Sequence, residues 1–406
     1  MSKKVIVSGA TGQDGSYMIE YLLKNTDFEV IGAIRRTSQF IDDNLKKVLL
    51  NPRFRVIHFD LNDPHSITST IKNEKPEYFI NFGAQTFVAD SWTSPVNHFQ
   101  INTMGLLHIL EAIKSFSPMT RLYSAGSSEQ WGNVEYSPQD INHPMKPRSP
   151  YGVSKCASQL LTKVYRESYG LYAIHGILLN HESPRRQDYF VTRKIAKGIA
   201  RIKKAIDAGV CFEPVVLGNL GSQRDWSHAE DFVSGIWMMM NQEQYNSELS
   251  QTSEKWHKYC EKGKFIKGSM GLSTLSGEER SEYDKLLAFE YQKFLNKNIK
   301  EYVLSSGETH SIRDFIQLAF KVANIEVRDD NPEKLSPTSD RNGRQINYSL
   351  SDGRPLIVVS REFYRPAEVD LLLGDSTPAR EELGWKPKHS FNDLVKEMVE
   401  NDIANA

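Results

Sequence analysis

The chain has 406 residues, more than one hydrophobic core usually fills, so two domains or one domain with a substantial second lobe are expected. Hydrophobic residues make up 39% and charged residues 25%, which argues against disordered, collagen-like and membrane-spanning classes. The net charge is −1 and the basic residues are spread along the chain. We therefore expect no broad surface for nucleic acid or for an anionic membrane.

The cysteine and histidine patterns bear on compartment and metal binding. Cys156, Cys211 and Cys260 are far apart and odd in number, which is typical of reduced thiols rather than of a disulfide framework. No H-x-x-x-H or Cys/His spacing is present, so no dedicated metal site is expected. The N-terminus runs directly into VIVSG without a long apolar segment or a cleavage site, and this favours a cytoplasmic location.

The first 180 residues alternate short β-branched runs with helical patterns. The strand-like runs are, in chain order, VIVSGA, FEVIGAIRR, FRVIHFD, YFINFGA and RLYSAGS. Strands separated by helices form parallel βαβ units, so the sequence predicts an α/β fold with a Rossmann-like, doubly wound parallel sheet. The segment KCASQLLTKVYRESYG predicts a long helix ending at Gly170, and YAIHGILLN predicts a sixth strand.

The pattern becomes less regular after residue 180. RKIAKGIARIKKAI predicts a basic amphipathic helix, and VVLGNLGSQRDW predicts a strand and a turn. EYVLSSG predicts a strand that returns to the sheet, so the two domains are expected to interleave. We assign residues 1–180, with returning segments near 225–243 and 301–310, to a dinucleotide-binding domain. Residues 181–224 and 311–406 are assigned to a smaller substrate-binding lobe.

Residues 246–300 form a charged stretch rich in Ser, Glu and Lys. Within it, EERSEYDKLLAFEYQKFLNKN predicts a helix whose apolar residues share one side. We interpret the stretch as a solvated insertion packed against its own domain. A contact with a partner or a second subunit is the alternative.

A glycine-rich turn, GATGQDG, follows the first predicted strand and precedes a helical pattern. Gly9 permits a tight turn, Gly12 allows the backbone to approach a diphosphate, and Gly15 allows close packing of helix and strand. The helix N-terminus then faces the phosphates. Because this spacing arises easily by chance, its position between strand and helix carries the prediction of a dinucleotide site.

The end of the second strand indicates which dinucleotide is bound. AIRRTS places Arg35 and Arg36 where an NAD-specific site usually carries an acidic residue for the ribose hydroxyls. Guanidinium groups bind phosphate in bidentate fashion, so the pair favours the 2′-phosphate of NADP. An ordinary surface arginine pair is the alternative. Asp60, after the third strand, is expected to accept a hydrogen bond from the adenine amino group.

Two later motifs carry the candidate chemistry. SAGSSEQWG contains Ser127 and Glu129, and YGVSK places Tyr151 and Lys155 one helical turn apart. A serine with Tyr-x-x-x-Lys suits a nicotinamide-dependent alcohol oxidation, in which a tyrosinate takes the hydroxyl proton. Lowering a tyrosine pKa from about 10 to about 7 requires roughly 4 kcal/mol, which a nearby ammonium and the oxidised nicotinamide can supply. Such an oxidation has no use for Glu129.

Longer strings give a more specific indication than these short motifs. They are SSEQWG, PRSPYGVSK, YRESYG, GILLNHESPRR, FVTRKI, LGNLGSQRDWSHAEDF, YRPAEVD and LGWKP. Together they make the chain resemble the extended short-chain dehydrogenase/reductase superfamily and, more closely, the GDP-mannose 4,6-dehydratase family. The resemblance spans nearly the whole chain apart from the insertion. It implies a GDP-sugar substrate, tightly held NADP, and a homodimer or homotetramer.

The same resemblance implies a role for Glu129. In the family a glutamate serves in a C5/C6 elimination of water that follows C4 oxidation, and a hydroxyl residue, here Ser127, polarises the C4 oxygen. The chain departs from the family pattern at several positions. Ser127 stands where threonine is usual, Phe87 where histidine is common, and Asn102 where aspartate is common. The stretch 246–300 also lies outside the usual pattern.

The resemblance further implies which side chains line each site. For NADP, beside the three glycines, Tyr151 and Lys155, they are Thr11, Gln13, Asp14, Arg35, Asp60, Leu61, Gln85, His181 and Arg186. For the nucleotide sugar they are Ser128, Asn180, Val191, Lys194, Arg224, Arg365 and Glu368. For the charged members, surface ion pairs are the alternative interpretation.

Three other functions compete with this one. A sugar nucleotide 4-epimerase or 4-keto reductase uses the same oxidation residues but has no need of an elimination base such as Glu129. A GDP-heptose dehydratase differs only in the room that it leaves at C6. An NADP-binding regulatory protein of the same fold predicts loss of the catalytic residues, yet Ser127, Tyr151 and Lys155 are all present.

Overall fold

The computed structural model describes residues 3–36, 43–242, 296, 299–330, 339–363, 369 and 371–406. Of the helix predicted within residues 246–300, only Asn296 is described, and it is helical. The strands are β1 Lys4–Ser8, β2 Glu29–Ile34, β3 Phe54–His58, β4 Tyr78–Asn81, β5 Arg121–Ala125, β6 Ala173–Leu178, β7 Asn180–Glu182, β8 Val215–Leu217, β9 Gln223–Arg224, β10 Trp226–His228, β11 Val303–Leu304, β12 His310–Ser311, β13 Arg328–Asp329, β14 Gln345–Ser349, β15 Pro355–Val359 and β16 Leu371–Leu372. The α-helices are α1 Gln13–Asn25, α2 Pro64–Glu74, α3 Pro95–Phe99, α4 Gly105–Phe116, α5 Pro150–Tyr169, α6 Val191–Asp207, α7 Ala229–Met240, α8 Ile312–Val322, α9 Thr377–Glu382 and α10 Phe391–Asn405.

Seven strands form the central sheet in the order β3-β2-β1-β4-β5-β6-β11. Every neighbouring pair in this sheet is parallel. The predicted Rossmann-like, doubly wound α/β fold is therefore confirmed. The chain reverses its direction of winding between β1 and β4, and in such sheets ligands bind outside the carboxyl ends of the strands at this point.

Helices cover both faces of the sheet, so its strands are apolar on both sides. Val5 and Val7 of β1 pack into the core beneath α1 and α7, whereas Ile6 points to the opposite core beneath α2, α4 and α5. This alternation follows from the two-residue period of a strand. The buried sheet fixes the strand ends from which the candidate site is built.

The helix α5 has strong signals at both ends. The Ser149 side chain accepts a hydrogen bond from the Gly152 amide at 3.0 Å, and Pro150 occupies the first helical position. Gly170 ends the helix in the left-handed region, with φ of 66°, as the sequence predicts. Tyr151 and Lys155 consequently lie in the first two turns of a well-bounded helix.

A second core lies beyond the sheet. Its helices α6, α8 and α10 pack with a four-stranded sheet of β13, β14, β15 and β8. The strand β11 returns to the central sheet beside β6, and α7 packs against α1. These elements follow the expected interleaved course, although the numbered domain bounds stay a prediction. Among the described helices, none combines the length and apolarity that a membrane crossing requires.

Candidate active site

Two adjoining cavities open at the carboxyl edge of the sheet. The first, of about 300 Å³, follows the glycine-rich turn, and the second, of about 590 Å³, lies between the sheet and the second core. Asp14, Arg186 and Phe190 contribute to the walls of both. A ligand in one cavity can therefore reach a ligand in the other.

The glycine-rich turn forms one wall of the smaller cavity. Gly9 has φ of 69°, and a Cβ there would lie 2.9 Å from the Gly83 amide nitrogen. A Cβ at Gly15 would lie 2.2 Å from the Gly9 carbonyl oxygen, so both positions require glycine. Gly12 precedes α1 and offers no capping side chain, which leaves the first helical amides available to an anion. These features fit a bound dinucleotide diphosphate.

Most side chains predicted to hold the cofactor surround the smaller cavity. They are Gly9, Thr11, Gly12, Gln13, Asp14, Gly15, Arg35, Asp60, Leu61, Gln85 and Arg186. Tyr151, Lys155 and His181 line the larger cavity instead. Arg36 is exposed and lines neither cavity among the described residues, so its predicted contact with a 2′-phosphate has less support than that of Arg35.

Asn102 has a role that the sequence did not indicate. Its side-chain oxygen accepts from the Gln85 amide at 2.8 Å, and its nitrogen donates to the Gln85 carbonyl at 3.0 Å and to the Ser154 hydroxyl at 3.1 Å. The side chain thus fixes the loop after β4 to α5. The nitrogen donor explains why an asparagine functions here: an ionised aspartate has no proton for the Gln85 carbonyl.

The four predicted catalytic residues all line the larger cavity. Ser127 follows β5 and caps a 3-10 helix, Ser128–Gln130, by accepting a hydrogen bond from the Glu129 amide at 3.3 Å. Tyr151 and Lys155 reach the same cavity from α5. The structure therefore brings a hydroxyl, a carboxylate, a phenol and an amine into one cavity.

Burial dominates the titration of the α5 pair. It raises the pKa of Tyr151 to about 12, although a hydrogen bond with Ser127 opposes the rise. Burial also lowers the pKa of Lys155 to about 8. The Lys155 Nζ donates to the Ala125 carbonyl at 2.7 Å and lies 5.8 Å from the Tyr151 ring centroid. In the protein by itself, Tyr151 is a neutral phenol.

A charged pair stands where the two cavities meet. The His181 Nδ1 lies 2.7 Å from the Leu179 carbonyl oxygen, and its Nε2 lies 3.0 Å from the Asp14 carboxylate. Both ring nitrogens face acceptors, which requires a proton on each. Burial opposes ionisation of both groups, yet their attraction raises the pKa of His181 and lowers that of Asp14. An ion pair of His181 and Asp14 therefore forms part of the boundary between the two cavities.

The predicted nucleotide-sugar residues that are described also converge on the larger cavity. They are Ser128, Asn180, Val191, Lys194 and Arg224. The Asn180 side-chain oxygen is buried without a hydrogen-bond partner in the described structure, which is typical of a group that a ligand satisfies. Arg365 and Glu368 lie outside the described residues.

Three aromatic side chains form a cluster at the cavity wall that the sequence analysis does not predict. The Phe87 and Tyr189 ring centroids are 4.7 Å apart, and those of Tyr189 and Phe190 are 4.8 Å apart. All three rings line the larger cavity. The adjacent aromatics before VTRK were a usable signal, but the contact with Phe87 joins residues about a hundred positions apart.

Three potential metal ligands lie together away from the cavities. Donor atoms of His228, Glu230 and His389 fall within 4.8 Å of one another. Each histidine already has protein partners, however. The His228 Nδ1 accepts from the Glu230 amide, its Nε2 lies 3.0 Å from the Glu397 carboxylate, and the His389 Nδ1 lies 3.1 Å from the Asp231 carboxylate. We interpret the group as an ion-pair cluster at the start of α7.

Fold and cavity together define an enzyme of the extended short-chain dehydrogenase/reductase superfamily. A model of the family described as GDP-mannose 4,6 dehydratase matches residues 6–285 and 287–398. The chain belongs to the GDP-mannose 4,6-dehydratase family. The match also runs through most of the stretch 246–300 that the sequence sets apart as an insertion.

Individual relatives agree with this membership. A GDP-mannose 4,6-dehydratase of Yersinia enterocolitica is 33% identical over 100% of this chain and 95% of its own length. The fold resembles dTDP-glucose 4,6-dehydratase from Bacillus anthracis in complex with NAD, at 15% identity, a TM-score of 0.66 and coverage of 98% and 96% of the two chains. It also resembles RMD from Pseudomonas aeruginosa complexed with NADPH, at 19% identity, a TM-score of 0.65 and coverage of 100% and 99%.

Proposed function

We propose that this enzyme converts GDP-mannose to GDP-4-keto-6-deoxy-mannose and water, as a hydro-lyase. The observation that carries the proposal is the Glu129 carboxylate in the same cavity as Ser127, Tyr151 and Lys155. An oxidation needs the latter three alone, whereas an elimination needs a base. Family membership supports the same substrate and reaction.

In the first step Tyr151 acts as a tyrosinate and accepts the proton of the C4 hydroxyl, so the bound ligands must first favour loss of the phenol proton. A dinucleotide held by the glycine-rich turn and Arg35 in the smaller cavity would supply the redox chemistry, the removal of a hydride from C4 and its later return to C6. Ser127 hydrogen bonds to the developing C4 carbonyl oxygen and to Tyr151. The Ser127 hydrogen bond and the charge of Arg186 offset part of the burial that raises the Tyr151 pKa. The Lys155 Nζ, 5.8 Å from the Tyr151 ring centroid, favours the tyrosinate further when it carries its positive charge.

In the second step the 4-keto group makes the C5 hydrogen acidic. Glu129 removes this proton, the C5–H electrons form a C5–C6 double bond, and the C6 hydroxyl leaves as water with one of the two protons that Tyr151 and Glu129 have taken. When C6 has become a methyl group, a proton returns to C5. Atoms and electrons balance without an external oxidant, so the overall reaction is redox neutral.

Two cations of the larger cavity, Lys194 and Arg224, suit the nucleotide diphosphate. The buried Asn180 oxygen suits a donor instead, such as a hydroxyl or an N–H group of the nucleotide sugar. Burial lowers the pKa of Lys194, and an anionic ligand would raise it again by favouring the charged form. We retain roles for Arg365 and Glu368 as predictions. The GDP-heptose and epimerase alternatives have no comparable support.

NADP is the proposed dinucleotide. Arg35 is exposed at the wall of the smaller cavity, near the position where the ribose 2′-phosphate would lie in a Rossmann fold. Arg36 follows it and can add charge at longer range. Related folds bind NAD or NADPH, so the fold supports a nicotinamide cofactor and the arginines favour the phosphorylated form.

We also propose a cytoplasmic homodimer or homotetramer. Val153, Leu160 and Val164 follow one another along α5 and are 47%, 55% and 50% exposed. Such a stripe on one helix is suited to burial against a second copy of the chain. The cysteines are odd in number and widely spaced along the chain, which supports a reducing compartment.

The function and its cofactor can be tested in one assay. We expect protein stripped of nucleotide to convert GDP-mannose into a product lighter by one water, detected by mass spectrometry, when NADP is added. NAD should restore the rate at least about tenfold less well, because one lost phosphate contact costs about 1.4 kcal/mol or more. Absence of water loss with either dinucleotide refutes the function. Equal rates with NADP and NAD refute the role of the arginines.

A further inference from the structure

A fully buried glutamine stands behind the reaction residues. Gln130 ends the 3-10 helix Ser128–Gln130, and none of its surface is exposed. We propose that Gln130 is a positioning residue that sets the direction of Ser127 and Glu129 for the elimination step. The inference rests on the proposed function.

The orientation of the Gln130 amide is fixed by its partners. Its Oε1 accepts from the Ser127 backbone N–H at 2.9 Å, and a backbone nitrogen can only donate. Its Nε2 therefore points the other way and donates to the Gln159 Oε1 at 2.6 Å. The amide thus joins the residue that polarises the C4 oxygen to the middle of α5.

His175 adds a second donor to the same oxygen. Its Nε2 lies 3.0 Å from the Gln130 Oε1, which has no proton to give, so the proton must sit on Nε2. Burial, together with Lys155, holds the pKa of His175 well below its usual value, and the ring is neutral. The Gln130 oxygen therefore receives one bond from the site and one from β6.

The network continues to a buried ion pair. The Gln159 Nε2 donates to the Glu301 carboxylate at 3.4 Å, and the other Glu301 oxygen accepts from Arg166 at 2.7 Å and from the His175 amide at 3.1 Å. The Arg166 and Glu301 side chains are only 7% and 8% exposed. Gln130 therefore ties the catalytic turn to a rigid, charged anchor in the scaffold.

Close packing against α5 is a second restraint on the turn, in addition to the hydrogen bonds of Gln130. A Cβ at Gly152 of α5 would lie 2.6 Å from the Glu129 carbonyl oxygen. The Cys156 Sγ lies 3.5 Å from the Gln130 carbonyl oxygen. The backbone of the turn is in contact with α5. We therefore expect that loss of the Gln130 hydrogen bonds rotates the turn instead of leaving a cavity beside it. A shift of about 1 Å in a reacting group can cost on the order of 10²-fold in rate.

The test compares two buried glutamines changed to the same residue. In Gln130→Met the side chain keeps its length but loses every hydrogen bond. Gln139→Met is the matched control, because Gln139 is also unexposed and its Oε1 accepts from a backbone amide, that of Leu373 at 2.9 Å. Gln139 lines neither cavity. Both variants should lose similar thermal stability.

We expect kcat of Gln130→Met on GDP-mannose to fall roughly 10- to 100-fold with KM within about threefold of wild type. The isotope effect on kcat from deuterium at C5 should increase, since removal of that hydrogen becomes slower. Gln139→Met should keep both kcat and the isotope effect. A general loss of folded protein would lower the rate without changing the isotope effect. An unchanged isotope effect in Gln130→Met therefore overturns the inference. A kcat within twofold of wild type overturns it as well.

Wild-type protein in the same assay separates the two hypotheses. If wild type releases no water from GDP-mannose, the proposed function fails. If wild type is active and the two glutamine variants behave alike, the function stands and the positioning role of Gln130 is removed.

Discussion

Replacement of Glu129 by glutamine is expected to lower turnover of GDP-mannose by at least about a hundredfold, the lower range for a positioned acid or base. The glutamine keeps the shape of the side chain but cannot accept the C5 proton. Binding of NADP and of the GDP-sugar should stay nearly normal, because neither depends on this carboxylate. C4 oxidation should still occur, so bound reduced cofactor should accumulate and be visible by absorbance.

Glu135→Gln provides the control for this experiment. Glu135 lies on the loop that follows, where it is exposed and paired with Lys146, and it lines neither cavity. Its replacement should leave turnover unchanged, since exposed ion pairs contribute little. Near-normal turnover of Glu129→Gln would remove the elimination mechanism as written.

Replacement of Tyr151 by phenylalanine is expected to lower turnover by roughly 10²- to 10⁴-fold. The C4 hydroxyl then has no partner to take its proton, and oxidation is blocked at the outset. No reduced cofactor should accumulate, in contrast to Glu129→Gln. Rapid-mixing absorbance measurements on the two variants should therefore assign the two residues to successive steps.

Tyr136→Phe is a suitable control for the tyrosine. The Tyr136 hydroxyl donates to Asp140 at 2.7 Å on the protein surface, outside both cavities. This variant should turn over GDP-mannose at the wild-type rate. Formation of reduced cofactor by Tyr151→Phe at an undiminished rate would show that another group takes the C4 proton.

Local patterns in the sequence predict the fold well. Alternating apolar runs specify the parallel strands, and Gly170 specifies the end of α5 because few other residues adopt a positive φ. The short segment EYVLSSG predicts the return to the sheet that β11 makes beside β6. Each of these features depends on residues close together in the chain.

The Tyr151 pKa could not be judged in the same way. From sequence, a neighbouring ammonium is expected to lower the pKa of this phenol. In the structure burial is the largest influence and raises it to about 12, and the charges of Glu129 and Asp14 add to the rise. Burial depends on the whole fold, so the energy that the ligands must supply exceeds the roughly 4 kcal/mol of an ordinary tyrosine.

The hydrogen bonds that hold the catalytic turn could not be predicted from the sequence either. Gln130 is linked to Glu301 by hydrogen bonds through Gln159, and Gln159 and Glu301 are 142 positions apart in the chain. No periodicity or motif joins such residues. The side chains that contact ligands lie in recognisable strings, whereas those that hold them lie wherever the fold brings a partner.

The fate of the hydrogen at C4 tests the central claim most directly. If Tyr151 and Glu129 serve one reaction on one bound cofactor, GDP-mannose deuterated at C4 should give a 4-keto-6-deoxy product that carries the deuterium at C6. The same reaction in heavy water should place solvent deuterium at C5. A product whose C6 methyl group carries no deuterium from C4 would contradict the account, because hydride would then not return within a single active site.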